Sequence, residues 1–194
     1  TWINKSYPGM GNTYITNMLF EYLRAEGKPD YVYFQYTGLS RVDLPFDKKV
    51  KLNDYQYQHL TPFKNWVASG GWNASWTDQN ILRKIFVYMY NIKTPETMHD
   101  LSLQNIFTGI ELCKKLNINY NWSSYYDYTV AINDEVKKDG IISKLPAYID
   151  TSKHIKAFPL EHAYEIGDIP KDKIHYNSNV LESFLLKYKD RFNI

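Results

Sequence analysis

Two short stretches hold residue types that could do chemistry together. Asp172-Lys173-Ile174-His175 sets a carboxylate three positions ahead of an imidazole. On one loop, such an acid orients the ring and stabilises its charged form, the relation of orienter to general base in a nucleophilic triad. Ser6-Tyr7-Pro8-Gly9-Met10-Gly11-Asn12 is a glycine turn. Pro8 fixes its own φ and pushes Tyr7 toward extended geometry, while Gly9 and Gly11 permit positive φ or a close approach to the main chain. Asn12 is the expected N-cap of a helix with Ile15, Met18, Leu19, Tyr22 and Leu23 on one face. The free N–H groups of its first turn would point back at the glycines and suit an anion or a developing oxyanion. Without chemistry, the same residues are a solvated Asp–His pair and an ordinary strand-to-helix connection.

The elements around these stretches follow from pattern and punctuation. Thr1 to Lys5 reads as a strand, and the helix after the turn ends near Glu26, where Gly27 and Pro29 stop it. Tyr31 to Tyr36 is an aromatic and β-branched run between Pro29 and Gly38, the signature of a buried strand. Strand, helix and strand in this order imply a right-handed crossover and a parallel sheet. Ligands sit at the carboxyl ends of strands in such sheets, so Thr37 and Arg41 are expected beside the glycine turn. Signals weaken from Val42 to Gly71, where Asp54 to Ala68 suggests a loose helix and a lid. Ser75-Trp76-Thr77-Asp78 opens a helix through Met89, and Thr94-Pro95-Glu96 opens another to about Leu116. Ile118 to Trp122 is the next strand, and Asp127 to Glu165 is left without elements. The last helix carries Val180, Leu181, Phe184, Leu185 and Tyr188 on one face, with Asn179 and Glu182 spaced as a capping box.

Composition bounds the function. The 194 residues suffice for one domain with a core, taken as 1–194. The net charge of +2 comes without a like-charged block, so a nucleic-acid partner is not indicated. Cys113 is the only cysteine, which excludes an internal disulfide, and its apolar helical neighbours make it a small core residue. No apolar run approaches the roughly 20 residues of a membrane span and no signal-like segment is seen, so a soluble protein without membrane partners is expected. His59, His99, His154 and His162 lack ligand spacing, and neither metal nor cofactor is expected. The 18 Tyr and 5 Trp include loop aromatics such as Trp72, Trp76, Tyr125 and Tyr126, which suit either a sugar surface or a core and its rim.

Taken together, three blocks resemble the SGNH hydrolases, also called the GDSL esterase and lipase family, in a branch common in phage and bacterial genomes. The blocks are Pro8-Gly9-Met10-Gly11-Asn12, then Pro29-Asp30 through Tyr36-Thr37-Gly38 to Arg41, then Asp172-Lys173-Ile174-His175. The resemblance implies an α/β fold, a three-layer α/β/α sandwich with a mainly parallel sheet. It also implies hydrolysis of an acyl ester, often an acetyl group on a carbohydrate. By the resemblance His175 is the general base and Asp172 its orienting acid. Gly9, Thr37 and Gly38 belong to the oxyanion region, and Asn12 and Arg41 are expected at the substrate.

The family's nucleophilic serine lies in a Gly-Asp-Ser block, and none occurs in this chain; Ser6, Ser40 and Ser69 lack that setting. Residue 1 is Thr, and the hydrolase reading expects the nucleophile strand upstream of it. The family's oxyanion Asn is also replaced in the Thr37–Gly38 region. A non-catalytic relative, a binding or virion-associated protein with virion or self-assembly partners, is the alternative. A third reading sees in Ser6 to Thr13 the phosphosulfate loop of sulfotransferases, with Gly9 where the phosphate-binding lysine would stand.

Overall fold

The computed structural model describes residues 3, 5, 10–45, 66–68, 84, 88–89, 91–168 and 178–192. The chain is mixed α/β. In order come α1 (Asn12–Glu26), β1 (Tyr31–Tyr36), β2 (Asp43–Pro45), β3 (Trp66–Ala68), α2 (Pro95–Lys115), β4 (Asn119–Ser124), α3 (Asp134–Asp139), α4 (Pro159–Glu165) and α5 (Ser178–Phe192).

β1 and β4 pair in parallel from Tyr31 opposite Asn119 to Tyr36 opposite Ser124, with α2 in the connection. Parallel strands need such a crossover. Trp122 forms an isolated parallel bridge to His154, donating its N–H to the Lys153 carbonyl at 3.1 Å and accepting from Ile155 N–H at 2.8 Å. β2 and β3 make a separate antiparallel pair.

Strand alternation decides what covers the parallel pair. Phe34, Tyr36, Tyr120 and Trp122 join Leu19 of α1 and Leu103, Ile106, Ile110 and Cys113 of α2 in the main core. Tyr33 belongs to the opposite set, with Ile155, Ala157, Phe184 and, on α5, Leu181, Leu185 and Tyr188. Cys113 is fully buried, and burial pushes its thiol up to about 12. Thr94 caps α2 with Pro95 in its first turn, and Gly27 ends α1 at φ 87°, a conformation open to glycine.

Several expectations change. Asn12 does not cap α1: Gly11 is the cap residue, and Asn12 is the first helical residue with its amide turned elsewhere. Trp66–Ala68 is strand, because its pairing with Asp43–Pro45, remote in sequence, overrides the local helical spacing. The stretch left unassigned holds α3, capped by Asn133, and α4. α5 already includes Ser178, so Asn179 lies in its first turn and not at the cap. Of the expected opening strand, Ile3 and Lys5 are not in strand and the rest lies outside the described residues, as does 54–65. Of the helix expected from Ser75, residues 84, 88 and 89 are helical, and most of its length lies outside them.

Candidate functional site

The carboxyl ends of β1 and β4 and the amino end of α1 meet at one rim. Asn12 is fully buried and grips Thr37 from both sides: its Oδ1 accepts the Thr37 N–H at 2.8 Å and its Nδ2 donates to the Thr37 carbonyl at 3.4 Å. The same carbonyl accepts the Tyr128 hydroxyl at 2.6 Å, and Ser102 of α2 donates to the Leu39 carbonyl at 2.7 Å. The turn following β1 is thereby held from α1, α2 and the loop after β4.

Two carboxylates complete the rim. Asp43 accepts the N–H of Gly11 at 2.6 Å and of Tyr14 at 2.8 Å, so the anion at the start of α1 is one of the chain's own side chains. A Cβ on Gly11 would come within 2.9 Å of Asp43 Oδ2 and 3.1 Å of the Arg41 carbonyl, so this position needs the space of a glycine. Burial pushes Asp43 up to about 6, against the two N–H bonds and nearby Arg41. Asp139, at the end of α3, accepts the Ser40 hydroxyl and, at 2.9 Å, that of Tyr126. Its carboxyl lies so close to Gly38 that a side chain there would overlap it, and burial raises it against Ser40, Arg41, Tyr126 and His99.

A pH prediction follows for Asp43. Its folded value exceeds its unfolded value of 3.8, so the native state binds more protons between those limits and loses stability as pH rises through them. Asp43→Ala should therefore cost more at pH 4 than at pH 7, by on the order of 2 kcal/mol at about 1.4 kcal/mol per unit. Urea unfolding across that range measures the gap; a cost that grows with pH would show the two N–H bonds outweighing burial.

Of the expected site residues, the structure brings Asn12, Thr37, Gly38 and Arg41 together. Gly9, Asp172 and His175 lie outside the described residues. Asn12 has no surface from which to touch a ligand and acts as a clamp, and the Thr37 N–H is engaged by it. Arg41 is partly exposed beside both carboxylates, and among the described residues its side chain makes no hydrogen bond. Comparison with protein-family models, curated proteins and solved structures yields no match. The rim must be read from its own chemistry. Asp43 and Asp139 were not singled out as site residues from sequence: each acts across a long separation that no local pattern marks. Among the described residues no group of three or more His, Cys, Asp or Glu could hold a metal ion, and no helix is long and apolar enough to cross a membrane.

Proposed function

We propose that the protein is an ester hydrolase of the SGNH type, acting on an acyl ester, such as an acetyl group, of a carbohydrate or similar polymer. The observation that carries the reading is the Asn12–Thr37 clamp, which ties the end of the glycine turn to the Thr-Gly end of a parallel strand. That adjacency puts a rigid bend at the edge where open parallel sheets receive ligands. His175 serves as general base and Asp172 as its orienter. In this reading the Gly9 and Gly38 amides are the oxyanion donors and Arg41 meets the substrate. The reading requires a nucleophilic serine that no Gly-Asp-Ser block of this sequence supplies.

The direction of α5 supports this placement. Its far end reaches the middle of β4, where Asn121 donates to the Arg191 carbonyl at 3.3 Å, while Ser183 meets His162 of α4 at 3.1 Å. Leu160 of α4 bonds the Tyr125 carbonyl just past β4 at 3.3 Å. α5 therefore starts on the carboxyl side of the sheet, and the chain joining His175 to Ser178 spans at most about 11 Å. Core side chains on both faces of the parallel pair, with α1 and α2 on one and α5 on the other, are the arrangement a three-layer α/β/α sandwich requires.

The sulfotransferase reading fits less well, because Asp43 already occupies the N–H groups at the start of α1 and would repel a phosphate there. The non-catalytic reading draws on the missing Gly-Asp-Ser block. The test is release of p-nitrophenol from p-nitrophenyl acetate by the intact polypeptide. Asn12→Ala should lower kcat/KM by about 10- to 100-fold through loss of positioning. No hydrolysis above buffer by the intact protein, across acetyl and longer acyl esters, would overturn the proposal in favour of a binding role.

A further inference from the structure

Away from the rim, an open cleft of about 510 Å³ is lined by Asn121, Ser152, Lys153, His154, Ile155, Lys156 and Arg191. Its charged lining is three cations: Lys153 from the turn after Thr151, Lys156 from the segment past the His154 bridge, and Arg191 from the last turn of α5. Four cations elsewhere among the described residues are paired. Arg24, Lys114, Lys138 and Lys187 each lie within 2.9 Å of a carboxylate. Among the described residues, none of the three cleft cations has such a partner.

Convergence of unpaired cations is unfavourable on its own and is relieved by an anion between them. Arg191 is partly held in place: one guanidinium nitrogen donates to the Lys156 carbonyl at 3.4 Å and the group lies 5.3 Å over the Tyr188 ring. Most of its five donors remain for a ligand. His154 is pinned by stacking on Trp122 at 4.0 Å, and burial pulls it down to about 4, so it stays neutral at pH 7 beside the cations. Three features oppose an anion: the partial negative charge at the end of α5, Asp127, whose field reaches His154, and Asp150, whose carboxylate accepts the N–H of the lining residue Ser152 at 2.8 Å. Asp127 Oδ1 accepts the Thr129 N–H and hydroxyl at 2.9 and 2.7 Å.

We propose that this cleft binds a phosphate or sulfate group, separately from any chemistry at the rim. A fork from Arg191 and two ammonium groups match a tetrahedral oxyanion better than a single carboxylate. The cleft also exceeds one such ion in size, and so admits the molecule that carries it.

The test is calorimetric titration of the whole chain, at constant ionic strength set with chloride, using inorganic phosphate, inorganic sulfate, glucose 6-phosphate and acetate. Saturable binding of phosphate or sulfate, at least tenfold weaker in Lys153→Ala/Lys156→Ala and in Arg191→Ala at unchanged melting temperature, is the expected result. Tighter binding of glucose 6-phosphate than of inorganic phosphate supports an esterified ligand, and equal binding supports the free ion. Absence of saturable binding, affinity for acetate equal to phosphate, or variants that bind like the parent would overturn the proposal.

Discussion

Replacing His175 by alanine is expected to lower p-nitrophenyl acetate hydrolysis by the intact polypeptide at least a thousandfold. A general base that also returns its proton to the leaving group takes part in both halves of an acyl transfer, and loss of such a group costs up to about 10⁶ in kcat in triad hydrolases. Asp172→Asn should cost somewhat less, roughly 10³ to 10⁴, because it leaves the imidazole in place and holds the wrong tautomer. The order matters as much as the size. Full-length variants with unchanged circular dichroism would be compared by kcat and by pH–rate profile, in which the rise in rate with pH through the histidine value disappears in His175→Ala. Activity within tenfold of the parent would sink the assignment of His175.

Trp122→Ala should be the most damaging core substitution, at about 3–5 kcal/mol. The ring is fully buried, stacks on His154 at 4.0 Å and meets the edge of Tyr36 at 6.1 Å. Its indole N–H donates to the Asp150 carbonyl at 3.0 Å, and its backbone holds the segment around His154. Truncation opens a cavity between α2 and the sheet and leaves that carbonyl unpaired. Trp122→Phe, which keeps most of the volume, should cost about half as much or less. Urea unfolding followed by circular dichroism separates the two, and a loss below about 1 kcal/mol for the alanine variant would show that the site collapses without penalty.

How far the fold could be read ahead varied with the range of the determining interactions. β1 was legible to the residue because Pro29 and Gly38 bracket a run with no helical spacing. α2 was legible because Thr94 and Pro95 mark its start. β2, β3, α3 and α4 were not, being three to seven residues long and dependent on partners remote in the chain. The rim divides the same way. The neighbourhood of Asn12 and Thr37 follows from strand, helix and strand in sequence, whereas Asp43 and Asp139 reach it from stretches without periodic signal.

Asp43 has a kinetic consequence. The acceptor that closes the first turn of α1 lies 32 residues from Gly11, so it arrives only after β1 has been laid down and the intervening loop has shut. A peptide spanning α1 alone should fray at its leading end, since helix nucleation is costly and its stabilising partner is absent. The bend at the rim then belongs to the late, cooperative part of folding, and conditions that loosen β2 should unravel it before the sheet gives way.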